Sequence, residues 1–148
     1  MAIKFTAKKM REVVERYYRG CNTKDHGLMT SCLTKDAVHY FPGRPPVRGS
    51  ASIAELWIEL VNTQGSQWSI DHFLGSGREA VVEWSHYRTK IGHVLRGTEW
   101  FEFDDAGKIE EIRAYYAAPR DPKVAVLELD GFPYRRRGYL RRVPLKPE

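Results

Sequence analysis

Long apolar runs are missing from this chain of 148 residues. None approaches the roughly 20 residues that a membrane-spanning helix needs. Cysteine is scarce: only Cys21 and Cys32 occur, at a spacing that matches no metal or redox motif. They are expected to be small buried residues in a reducing cytoplasm. No continuous apolar core follows the basic residues of "MAIKFTAKKMREVVERYYRG", so this stretch reads as an amphipathic helix and not as a signal peptide. Internal repeats are absent, and no linker precedes Pro119. Hydrophobic residues make up 42% and charged residues 29%, the balance of a globular protein and not of a disordered one. The length suits one domain of ordinary size. The net charge of +5 is uneven. From Pro119 to Glu148 eight Lys/Arg stand against four acids, and the preceding 118 residues are nearly neutral. A basic tail raises binding to anionic partners as a possibility.

What is present is periodic. Thr6 is placed to cap a first helix, in which Met10, Val13, Val14, Tyr17, Tyr18 and Cys21 form one apolar stripe. "NTKDHG" ends it. A short second helix carries Leu28, Met29, Cys32 and Leu33 and is broken by "TKD". "AVHYF" is a strand, closed by a turn at "PGRPP". A third helix starts at Ser50 or Ser52, with Ser52 and Glu55 at capping-box spacing, and buries Ile53, Leu56, Trp57, Leu60 and Val61. After residue 65 come four strands, "SQWSIDHFLGS", "REAVVEWSHYRTKI", "HVLRGTEWFEF" and "KIEEIRAYYA", each joined to the next by a hairpin-length connection. Helices first and strands afterwards predict an α+β domain, an antiparallel sheet with helices packed on one face.

The stretch "WSHYRTKIGHVLRGTEWFEF", residues 84–103, carries the chemistry. Alternation puts Trp84, His86, Arg88, Glu99, Phe101 and Phe103 on one face. If Gly92 and His93 form a two-residue turn, Trp84 lies across from Phe101 and His86 across from Glu99, with Cβ atoms about 5 Å apart. A buried histidine beside a buried carboxylate can form a poised acid/base pair. The alternative is an ion pair at the sheet margin or a hydrogen-bonded core histidine. In "SIDHFLGS" the alternation groups Ile70, His72 and Leu74, and in "AVHYF" it groups His39 and Phe41. Three of the five histidines are therefore expected to face the concavity under the helices, whereas His26 and His93 sit in turns. Three histidines and a glutamate could bind zinc, but no two share a usual local ligand spacing, so no metal is expected.

This order of elements resembles the nuclear transport factor two-like superfamily, and within it the SnoaL-like family. The resemblance spans about residues 7–118. "ERYYRGCNTKDHGLMTSCLTKDAVHYF" carries it at the start and "RGTEWFEFDDAGKIEEIRAYY" at the end. It implies a cone-shaped pocket between a curved sheet and three N-terminal helices, commonly in a homodimer. Against ketosteroid isomerase, Tyr17 matches the oxyanion-hole tyrosine and Glu99 the carboxylic acid beside it, while Phe41 stands where that family has its proton-abstracting aspartate. Against scytalone dehydratase, "DHFLGS" resembles the strand with the catalytic histidine, which falls on His72, and its aspartate partner falls on Asn22. The Asp–Arg–Asp set of limonene-epoxide hydrolase falls on His86, Trp84 and Ala114 and is not retained. The SnoaL-like cyclases' aspartate near the end of the last strand has no match in "RAYYAAP".

The tail stretch "LELDGFPYRRRGY" resembles an ordered extension seen in a subset of SnoaL-like proteins. The apolar residues of the whole extension, among them Val124, Leu129, Phe132, Tyr134 and Tyr139, are too many for a solvated tail. The expected organisation is a cone domain at 1–118 and an extension at 119–148 that packs over the pocket mouth or across a partner. The aromatic interleaving that suits single-stranded nucleic acid is sparse, which argues against that partner. The expected function is cofactor-independent proton transfer, dehydratase or isomerase in type, on a cyclic or aromatic hydrophobic molecule. His72 would be general base, with Asn22 orienting it; His86, Glu99 and Tyr17 would complete the catalytic set. His39, Phe41, Trp57, Trp84, Arg88, Phe101, Ala114 and Tyr116 would line the substrate site. The alternative is a non-catalytic protein that holds a hydrophobic ligand in the same cone.

Overall fold

The structure is a computed structural model and describes residues 5–42, 44–116, 126–127 and 133–140. Helix α1 (Ala7–Thr23) begins where Thr6 accepts a hydrogen bond from the Lys9 amide, as expected of a capping threonine. It ends on Lys24 in the left-handed conformation. The stripe Met10, Val14, Tyr17, Tyr18 and Cys21 is buried. Helix α2 (His26–Cys32) is capped by Asp25, and α3 (Ser50–Gln64) buries Ile53, Ala54 and Trp57. The capping box expected at Ser52 and Glu55 does not form: α3 starts earlier, directly after Gly49, without a side-chain cap.

The strands are β1 (Leu33–Phe41), β2 (Arg44–Arg48), β3 (Ser66–Ser76), β4 (Glu79–Arg88), β5 (His93–Phe103) and β6 (Ile109–Tyr116), with a two-residue β7 (Val126–Leu127). They assemble in the order β2-β1-β6-β5-β4-β3, and β7 pairs with β5. The sheet is mixed and not purely antiparallel, because β1 runs parallel to β6 and β7 parallel to β5. Strand β2, whose residues 44–46 the sequence places in the "PGRPP" turn, pairs with β1 as an edge strand, where prolines are tolerated because an edge leaves amides unused. Register irregularities in β1, β3 and β5 bend the sheet. The three helices pack on its concave face, giving the α+β cone.

The β4–β5 hairpin positions the site, and here the register differs from expectation. The turn takes four residues, 89–92, with Gly92 at φ +77°, where a side chain would be strained. Glu99 therefore lies opposite Val82, Trp84 opposite Gly97 and His86 opposite Leu95. The shift is even, so every side chain keeps its face while changing its neighbour. Gly97 is needed at its position: a Cβ there would stand 2.6 Å from the Trp84 ring, so its absence lets that indole lie across β5.

Candidate active site

Between the concave face and the helices is a cavity of about 150 Å³. Phe41, Trp57, Trp68, Trp84 and Tyr116 form most of its aromatic wall, and Leu56, Leu60 and Ala114 fill between them. The polar groups that reach it are Glu99, His86, Arg88, Arg44 and Gln64.

Glu99 and His86 are the most buried of these, each 6% exposed. The Tyr18 hydroxyl donates a hydrogen bond to Glu99 Oε2. On the other side His39 Nε2 stands 3.2 Å from Oε1, and His39 is fully buried. Neither His39 ring nitrogen makes a hydrogen bond of acceptable angle, so this contact is one of ion-pair distance only. The imidazole is held by stacking on Phe41, with centroids 4.0 Å apart, and by Trp57 at 5.2 Å. Burial first, and the Glu99 charge second, push the Tyr18 hydroxyl well above its ordinary value, so it stays a donor. Sequence reasoning points to Tyr17 and misses Tyr18. Both lie in the buried stripe of α1, and only the rotation of the helix against β5 decides which one meets the carboxylate. Tyr17 instead accepts a 2.5 Å hydrogen bond from Trp57 Nε1 and thereby positions one cavity wall.

His86 is buried, stacks on Trp68 at 4.5 Å and places Nε2 2.8 Å from Ser66 Oγ. Burial first, then the charge of Arg88, lower its pKa to about 3. It is a neutral imidazole at ordinary pH. Its expected partnership with Glu99 is corrected to one with Ser66, a consequence of the longer turn. Arg88 is half-buried at the same cavity, and burial lowers its pKa.

His72 is the main correction. A β-bulge between Ile70 and His72 inserts one residue, so Ile70 faces inward opposite Trp84 while His72 faces outward opposite Glu83. The His72 side chain is 65% exposed, with Nδ1 3.4 Å from Glu83 and 3.2 Å from the Tyr139 hydroxyl. It does not line the cavity, so the general-base role assigned to it is withdrawn. Asn22 does not orient it either. Both ends of the Asn22 amide are taken by the Trp68 backbone, donating to its carbonyl and accepting from its N–H, each at 2.8 Å. This ties α1 to β3 and holds Trp68 against the cavity. Asn22→Ala is expected to destabilise the fold by about 1–3 kcal/mol, because it strands a strand donor and acceptor together; urea denaturation measures it. Phe101 is fully buried but packs on Tyr17 and Tyr18 as core.

Residues 133–140 of the extension pack on the outer sheet face. The Tyr139 hydroxyl donates to Glu83, and the Leu140 carbonyl accepts from Tyr87 and from Arg96. Arg96 also lies over the Tyr134 ring at 5.0 Å. This stretch therefore covers the face opposite the cavity, and not its mouth. Val124, Leu129 and Phe132 lie outside the described residues. Among the described residues no three His, Cys, Asp or Glu side chains converge as metal ligands. No described helix is long and apolar enough to cross a membrane.

The SnoaL-like domain family matches residues 14–122. The chain belongs to that family. A solved protein of unknown function with a cystatin-like fold from Methylobium petroleophilum is 43% identical, with 99% of this chain and 100% of that one covered and a TM-score of 0.76. Two further structures share the fold at low identity. One is an NTF2-like protein of unknown function from Cytophaga hutchinsonii, at 12% identity, with 79% and 95% covered and a TM-score of 0.64. The other is SalBIII, an epoxide hydrolase/cyclase-like enzyme of pyran ring formation in the polyether salinomycin, at 20% identity, with 74% and 92% covered and a TM-score of 0.65. No curated protein matches the chain.

Proposed function

We propose that this SnoaL-like protein is a cofactor-independent proton-transfer enzyme, of dehydratase or isomerase type, acting on a small cyclic or aromatic molecule. The observation that carries the reading is Glu99, a nearly inaccessible carboxylate in an aromatic cavity, gripped by Tyr18 and faced by His39. A carboxylate held in place in such a cavity can take a proton from a bound carbon acid and return it elsewhere on the ring. Tyr18 holds one oxygen, leaving the His39-facing side of the group for exchange. The neutral His86 and the Trp84 indole face the same cavity and supply polar contacts to a substrate oxygen.

The binding reading gains from one fact: the base expected at His72 is outside the cavity. On that reading the cone holds a ring without turning it over. Proton NMR in D₂O discriminates the two, using a panel of cyclic ketones and β-hydroxy ketones. The enzyme reading expects protein-dependent deuterium incorporation or water loss in at least one ring compound; binding shifts without exchange across the panel would replace it by the carrier reading. The same proposal takes the protein to be a cytoplasmic homodimer without nucleic-acid partners, in line with the family resemblance.

A further inference from the structure

The cavity holds an unusual surplus of donors. Arg88 Nε is buried and has no hydrogen-bond partner, and neither has Trp84 Nε1. Both residues line the cavity from the same face of β4. Tyr116 joins them, its ring 5.7 Å from that of Trp84. Arg44 is a second guanidinium in the lining, 5.0 Å above the Phe41 ring. Among the described residues neither arginine makes an ion pair. The one carboxylate lining the cavity, Glu99, is held by Tyr18 and lies opposite Val82, six residues of β4 away from Arg88. At roughly 3.3 Å per residue that separation is too long for a direct pair.

A buried guanidinium nitrogen and a buried indole N–H left without acceptors are costly unless a ligand supplies them. A guanidinium presents a planar fork that a carboxylate fits with two parallel bonds. We propose that the substrate is a monocyclic carboxylic acid, its carboxylate bound by Arg88 at the cavity mouth and its ring seated among the tryptophans toward Glu99. The volume sets the ring count: a cavity of about 150 Å³ accommodates one benzene-sized ring, and a tetracyclic steroid is several times larger. Charge placement agrees, since the anion would sit beside Arg88, at the end of β4 far from Glu99. The inference rests on the preceding reading only in taking this cavity as the ligand site.

The test uses two isosteric probes, benzoate and benzamide, titrated into the protein by calorimetry, with fluorescence of the cavity tryptophans as a second readout. Benzoate is expected to bind roughly ten- to a hundredfold more tightly than benzamide, the range of a charge-assisted pair. Arg88→Met should abolish that preference while leaving benzamide affinity within about threefold, which also verifies that the cavity is intact. Glu99→Gln should keep the preference. Equal affinities for the two probes in the unmodified protein, no binding of benzoate, or a preference that survives Arg88→Met would overturn the inference. Deuterium exchange without a benzoate preference would remove this inference and leave the enzyme reading. A preference without exchange in any ring compound would do the reverse.

Discussion

Between pH 6.5 and about pH 3 the protein is expected to lose stability steeply, and His86 to be a principal cause. Its folded pKa is about 3, against an ordinary value of 6.5. Below 6.5 the unfolded chain therefore takes up a proton at this residue that the folded chain refuses. Stability rises with pH wherever the unfolded state binds more protons, so it is full above 6.5 and falls as the pH drops toward 3. The slope from one such group is about 1.4 kcal/mol per pH unit, which sums to a few kcal/mol over the window. The cause is the site itself: the imidazole is stacked on Trp68, bonded to Ser66 and shares its face with Arg88. Urea titrations of the unmodified protein and His86→Gln across this window measure it. The variant should be less stable at neutral pH by about 1 kcal/mol, through the lost ring stack, yet its stability should depend less on pH. Curves that stay parallel down to pH 4 would show that the imidazole can be protonated in place.

How far such a site can be read from the sequence depends on which rule each residue obeys. The α1 stripe and its Thr6 cap obey local periodicity, and both are found as expected. The inward face of Trp84, His86, Glu99, Phe101 and Phe103 also survives, because alternation along a strand does not depend on what lies across from it. Partners do depend on it. The turn at residues 89–92 is longer than a Gly92–His93 turn, and this separates His86 from Glu99 while leaving their faces intact. His72 is lost to a different cause. A bulge adds one residue, which reverses the face of the residues beyond it, and a period-two pattern carries no mark of it. Phe73 packs against the core and Leu74 is exposed, the reverse of the simple alternation. The parallel pairing of β1 with β6 joins segments some seventy residues apart and has no local signature. Alternation in "AVHYF" places His39 on the inward face, but only that pairing brings it beside Glu99. Tyr18 shows the limit of carrying a role over from relatives: its neighbour Tyr17 fits the family position, whereas the hydroxyl that reaches Glu99 is one residue later.

The central claim is that Glu99 moves the proton. Glu99→Gln keeps the size of the side chain and an acceptor for Tyr18, and removes only the capacity to take up a proton from carbon. General acid–base catalysis by a positioned group contributes about 10²–10⁴ in rate. The most direct measurement is solvent-deuterium incorporation into the ring compound that the unmodified protein exchanges fastest, monitored by NMR for both proteins under identical conditions, with thermal melting to confirm that both are folded. The expected result is at least a roughly hundredfold drop in the exchange rate of a folded Glu99→Gln protein that still binds the probe. Exchange at the unmodified rate in that variant would contradict the account and move the proton carrier to another residue of the cavity.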